Sequence, residues 1–248
     1  MGRLRLARRY AWGLAQMRSS DVLVASFPRS GSTHLRLILA GLATSDAAAI
    51  QSHTQFERTV PELGGPTPWD RQPEGPLFIK THRPHAFLLS RPRAILLLRH
   101  PLNALASFHA YQSARVGGAA MPTDAFLRHS RFGLPRWIDH TRSWISRAEH
   151  VLRFNALCAD PAEEVARMMQ VLQVTSARDR LEAAVARATP EAAHRLRSTR
   201  QGGDQFDPSF EFARSNRDQP RASFSAEDEA WASRQLELAG LMPLVETL

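Results

Sequence analysis

Lysine is almost missing from this chain: of 32 basic residues among 248, only Lys80 is a lysine. Cysteine is as scarce. Cys158 stands alone, which excludes an internal disulfide and a cysteine-built zinc cluster and fits a reducing compartment. No electropositive motif surrounds it, so it reads as a small apolar residue and not as a nucleophile. No apolar run reaches the roughly 20 residues that cross a bilayer, so no membrane span is expected. Arginines break up the first 20 residues and exclude a secretory core there. Internal repeats and low-complexity tracts are lacking as well.

What is present describes a globular chain of one domain, 1–248. Hydrophobic residues make up 43% and charged residues 23%, a balance that builds one core and is unlike a disordered chain. The net charge of +8 favours anionic partners: nucleotides, nucleic acid or acidic membrane. Residues 1–20 carry several arginines and no acid before Asp21. They read as a basic amphipathic surface helix with Leu4, Leu6, Tyr10, Leu14 and Met17 on a ragged apolar face. A transit peptide is the alternative there.

Short apolar runs at 22–25, 77–80 and 94–98, with a weaker one at 150–154, alternate with helical patterns. Helices are expected from Ser32 to about Gly41, from Pro101 to about Ser113, and near 123–130, 135–148, 161–173, 177–197 and 225–240. The stretches 44–76 and 199–223 are rich in Pro, Gly and polar residues and are expected as long irregular loops. Strands alternating with helices imply a central parallel sheet flanked by helices, with ligands at the carboxyl ends of the strands.

Three segments sit at such ends. The first strand runs into Ser26-Phe27-Pro28-Arg29-Ser30-Gly31-Ser32-Thr33. A strand, a glycine-bearing turn and a helix N-terminus converge backbone N–H groups on one point, an arrangement that binds phosphate or sulfate. Ser30, Ser32 and Thr33 add hydroxyls, and Arg29 adds a planar cation. No Gly-Lys pair occurs, so the nucleotide triphosphatase pattern is not met. A serine-capped turn is the plainer alternative. The second strand ends in Lys80-Thr81-His82. An imidazole of ordinary pKa, about 6.5, takes a proton from a hydroxyl or amine at neutral pH. Period-two alternation puts the single lysine on the same side as His82. The third strand ends in Arg99-His100-Pro101, and Ser107 follows two turns into the next helix, so Arg99 and Ser107 are placed to hold one anion.

Together these segments resemble the sulfotransferases that use 3′-phosphoadenosine 5′-phosphosulfate (PAPS). The turn 26–33 is similar to their 5′-phosphosulfate loop. Phe78-Ile79-Lys80-Thr81-His82-Arg83-Pro84 is similar to the segment carrying their catalytic histidine. Leu97-Leu98-Arg99-His100-Pro101 with Ser107-Phe108-His109 is similar to the segment that grips the 3′-phosphate. The likeness runs from about residue 21 to 240. It implies a P-loop-like α/β fold, with His82 as general base and Lys80 and Arg29 as cationic helpers. It further implies PAPS as co-substrate, bound through Arg29, Ser30, Gly31, Ser32, Thr33, His34, Arg99 and Ser107. Adenosine 3′,5′-bisphosphate (PAP) would be the product, a small molecule the acceptor, and no metal is needed. A cytoplasmic location is expected, and dimerisation stays open.

The likeness also has departures. Cytosolic members usually carry lysine at the position of Arg29, and at that of His34 a tryptophan that stacks on adenine. Their C-terminal segment over the 3′-phosphate is best matched at Arg214, with Arg200 as a competing placement. Asn155-Ala156 replaces an acidic pair. Phe56, Trp69, Phe87, Phe108, Trp137 and Trp144 are candidates to line an acceptor pocket, or simply to fill the core.

Two rival classes remain at this level. A nucleotide-dependent phosphotransferase would need a magnesium-binding carboxylate at a strand end, and none is there. A nucleic-acid-binding module would show a basic stripe interleaved with aromatics, whereas these arginines are scattered among acids.

Overall fold

The computed structural model describes residues 3–44, 50–71, 75–86, 89, 92–116, 121–200, 206–207, 210 and 224–248. Arg214, Phe87 and most of the expected 199–223 loop lie outside them. The elements in chain order are α1 (Arg3–Gln16), β1 (Val22–Ser26), α2 (Ser32–Ala43), α3 (His53–Thr59), β2 (Phe78–Thr81) and β3 (Arg93–Leu98). They continue with α4 (Pro101–Ser113), α5 (Thr123–Arg128), α6 (Leu134–Ile145), β4 (His150–Arg153), α7 (Phe154–Ala159) and α8 (Pro161–Val171). The last are α9 (Arg178–Arg187), α10 (Pro190–Ser198), α11 (Ala226–Leu238) and α12 (Met242–Val245).

The four strands form a parallel sheet in the order β2-β1-β3-β4. All five residues of β1 are buried, because helices cover both faces, as parallel sheets require. Alternation along β1 divides the core in two. Val22 and Val24 pack with Leu35, Ile38 and Leu39 of α2, and with Val165 and Leu181 beyond. Leu23 and Ala25 face the other way, toward Leu105 of α4 and Trp137 and Trp144 of α6. Each such aliphatic side chain, fully withdrawn from water, stabilises the fold by about 1.5–3 kcal/mol.

The strand order fixes where a ligand goes. The chain leaves β1 for β2 on one side, then crosses back to β3 on the other, so the crevice between the ends of β1 and β3 is the topological switch point. Helices α2 and α4 begin at that crevice.

Two sequence expectations need correction. The pattern at 177–197 is not one helix: Ala188 and Thr189 interrupt it, and Pro190 restarts the chain as α10. Proline has no N–H to continue α9, and the Thr189 hydroxyl caps the new helix by accepting from the Ala192 N–H. The 44–76 stretch is not wholly irregular either. It contains α3, capped by Ser52 and tied to α2 by a buried ion pair of 2.9 Å between Arg36 and Glu57.

Candidate active site

The turn after β1 is shaped by two left-handed residues, Arg29 at φ 68° and Gly31 at φ 93°. Gly31 cannot be replaced freely, since a Cβ there would stand 2.6 Å from the Phe154 ring. No side chain caps α2, so its first N–H groups face the crevice. The Ser30 hydroxyl is fully buried beneath them and has no hydrogen-bond partner among the described residues. An uncapped helix start, a cradle that only glycine fits and an unmatched hydroxyl fit a phosphosulfate group.

The 3′-phosphate candidates come to the same place. Arg99 donates to the Arg29 carbonyl at 2.9 Å, with its guanidinium carbon 4.2 Å from the centroid of the Phe154 ring. Arg29 donates from Nε to the Ser107 hydroxyl at 3.2 Å and sits over Tyr111 at 5.2 Å. The loop's arginine and the serine of α4 are thus already joined. His34 donates from Nδ1 to the Ala188 carbonyl at 3.0 Å, which turns its ring toward the start of α10.

His82 follows β2 directly. Its Nδ1 donates to the Ser26 carbonyl at 2.6 Å. A carbonyl can only accept, so the proton is on Nδ1 and Nε2 keeps its lone pair. Burial and the Lys80 charge push the imidazole down to about 4, although Glu62 and the Ser26 carbonyl pull the other way. The ring is therefore neutral at pH 7. Lys80 pairs with Glu62 at 3.0 Å. Burial raises the Glu62 carboxyl, but Lys80, His82 and Arg36 outweigh it and hold it at about 2. The Glu62 segment is laid along the sheet edge: Lys80 N–H donates to Pro61, and Leu63 N–H donates to Lys80, both at 2.8 Å.

All of these groups line one cavity of about 940 Å³: Arg29, Gly31 to His34, Lys80, His82, Arg99 and Ser107. Ser30 lies buried just behind the wall. Arg200 and Arg197 also line this cavity, which puts the competing placement at its wall. Among the aromatic candidates, Phe56 and Phe108 line the cavity. Trp137 and Trp144 are wholly buried core residues, and Trp69 packs edge-on against Trp12 at 5.3 Å.

Several neighbours were not singled out from sequence: Arg36, Glu62, Tyr111, Phe154 and His140. Arg36 had a signal, since it lies one turn beyond Ser32 and Thr33 on α2. His140 of α6 is 1% exposed, and neither ring nitrogen has a partner among the described residues. Burial, then the charges of His82 and Arg136, push it down to about 3.

Comparison with known proteins agrees with this geometry. The sulfotransferase domain family matches residues 19–203. No curated protein matches the chain in sequence. Among solved structures, retinol dehydratase with androsterone and the inactive cofactor PAP superposes with a TM-score of 0.65 at 15% identity, covering 94% of this chain and 85% of that one. Mouse sulfotransferase SULT7A1 with PAP gives 0.61 at 12% identity, covering 95% and 90%. The sulfotransferase domain of the Synechococcus PCC 7002 olefin synthase gives 0.51 at 18%, covering 88% and 94%. The chain belongs to the sulfotransferase family, with the P-loop-like α/β fold. A sulfotransferase domain over these residues favours sulfuryl transfer over the phosphotransferase and nucleic-acid readings.

Proposed function

We propose that His82 is the general base in sulfuryl transfer from PAPS to a hydroxyl or amine of a small-molecule acceptor. The observation that carries this reading is the 2.6 Å contact between His82 Nδ1 and the Ser26 carbonyl. It presents a neutral ring, with Nε2 as a proton acceptor, on the wall of the cavity.

The chemistry follows from the groups present. The acceptor oxygen or nitrogen forms a bond to sulfur while the bond from sulfur to the 5′-phosphate oxygen breaks. The acceptor's proton passes to His82 Nε2, and the bonding electron pair leaves with PAP. A polyanionic donor beside His82 favours the imidazolium, so binding raises the pKa of the ring from its low value toward the working range. Arg29 and Lys80 supply positive charge to the phosphosulfate oxygens, and an arginine at position 29 acts purely through its charge.

The rest of the donor is assigned on the same footing. The loop backbone with Ser30, Ser32 and Thr33 takes the phosphosulfate, and Arg99 with Ser107 takes the 3′-phosphate. His34, beside Thr189 and Pro190, takes the adenine. Arg214 is the sequence-based candidate to close over the 3′-phosphate. The acceptor class is supported by the structural neighbours, two of which hold androsterone or retinol, both lipophilic alcohols. Cytoplasmic action as a single domain is proposed from the lone Cys158 and from one sheet shared by both halves of the core.

Incubation with labelled PAPS and a panel of alcohols, phenols and amines tests the reading. Labelled product from the wild type, and none from His82→Ala, is expected. Group transfer from ATP but not from PAPS would overturn it.

A further inference from the structure

Helix α1 has two unlike faces. Inward, Tyr10 and Leu14 pack against the core. Gly13 allows this approach, since a Cβ there would stand 2.8 Å from Leu63. Outward, Leu4 and Trp12 are 69% and 41% exposed. Leu4, Arg8 and Trp12 recur every fourth residue and form one stripe, with Arg5 beside it. Three of the seven exposed large hydrophobic side chains among the described residues belong to this helix, Leu6 being the third.

The charge on the helix is of one sign. Its 14 residues include four arginines and no acid. Arg5 and Arg8 are exposed and make no ion pair or hydrogen bond among the described residues. Some surface arginines elsewhere are paired, as Arg58 is with Asp70 and Arg178 with Glu182, whereas the arginines of α1 share their helix with no acid at all. A face on which the exposed Leu4 and Trp12 alternate with Arg5 and Arg8, on a helix otherwise anchored to the core, matches the requirements of an anionic bilayer surface. Leucine and tryptophan enter the headgroup boundary, and each arginine gains from the surface potential.

We propose that α1 docks the enzyme on an anionic lipid surface through Leu4, Arg5, Arg8 and Trp12. The helix also adjoins the reaction centre. Arg9 lines the cavity, and the Tyr10 hydroxyl accepts from Arg83, the residue after His82, at 3.1 Å. The docked enzyme would therefore hold its acceptor end beside the lipid interface, a position suited to a hydroxyl-bearing amphiphile. This last step rests on the proposed function; the docking does not.

Co-sedimentation of the full chain with vesicles, without PAPS, tests the docking. Vesicles of phosphatidylcholine doped with phosphatidylglycerol should bind at least about tenfold more protein than phosphatidylcholine alone. The double variant R5E/R8E should lose about tenfold or more of that binding while keeping wild-type affinity for PAP. Raised salt should release the wild type in the same way, which keeps the test independent of variant folding. A blue shift of tryptophan fluorescence on the doped vesicles should vanish in Trp12→Phe. Equal binding to both vesicle types, or indifference to salt and to charge reversal, would overturn the proposal. So would a solution dimer that Trp12→Ser dissociates, because the stripe would then cover a second copy. Loss of PAP binding by the wild type would instead sink the functional reading and leave the vesicle result standing.

Discussion

The two sides of the cavity, proposed for donor and for acceptor, are built differently. The donor side rises from the two central strands, β1 and β3, and much of it is backbone: an uncapped helix start, the left-handed Gly31, and a carbonyl that positions Arg99. The proposed acceptor side stands on β2, an edge strand, where His82 meets side chains brought from afar, Glu62 and Arg9 of α1, and Lys80 stands where the two sides meet. Backbone geometry suits a group that never changes, the phosphosulfate. Side chains on an edge suit a partner that differs from enzyme to enzyme.

If the two sides are separable, variants on each should fail in different ways. The largest effect is expected for His82→Ala: kcat should fall by about 10²–10⁴-fold, the usual worth of a general base. Steady-state turnover with saturating PAPS checks this. On the donor side, Arg99→Ala should weaken PAP by about 10- to 100-fold, the scale of a charge-assisted contact. It should weaken adenosine 5′-phosphosulfate far less. Competition assays with both nucleotides give the ratio, and equal losses would remove Arg99 from the 3′-phosphate. Gly31→Ala meets both the Phe154 ring and a φ of 93°, and should cost about 1–3 kcal/mol of stability together with PAP affinity. Denaturant unfolding measures the first, and a full-strength donor site in this variant would break the backbone account.

The smallest effect concerns two buried histidines. His82 and His140 have folded pKa values of about 4 and about 3, below the ordinary 6.5. Protonation thus favours the unfolded chain. The stability of the neutral rings is complete above pH 6.5 and is lost as pH falls toward the folded values. Between pH 6.5 and 5 each ring accounts for about 2 kcal/mol. His140→Phe should remove that ring's share of the acid slope in unfolding free energy measured over that window, while His82 and the other histidines that burial depresses, His53, His85, His100 and His150, keep theirs.

The turn between β1 and α2 was largely legible in the sequence, because a strand, a glycine turn and a helix start are consecutive and their geometry is local. The sheet was legible for the same reason: β1, β2 and β3 are short apolar runs closed by polar turns, and only β4, His150-Val151-Leu152-Arg153 running straight into α7, gave a weaker signal. The break at Thr189-Pro190 carried a sequence signal too, a capping threonine before a proline, but the apolar periodicity continues across it. Glu62 had no signal. It reaches Lys80 only because the 61–63 segment lies along the edge of β2, a pairing between residues separated by an irregular stretch. His140 is likewise one histidine in a helix until α6 is laid against Phe27, with rings 6.2 Å apart. Long-range placement, not residue type, is what the sequence withholds.

Isothermal titration of PAP into the wild type and into His82→Ala is the most direct test of two separable sides. Both proteins should bind one equivalent with affinities within a few-fold of each other, although only the wild type turns over. Loss of binding in His82→Ala as large as its loss of turnover, or no heat from either protein, would contradict the account.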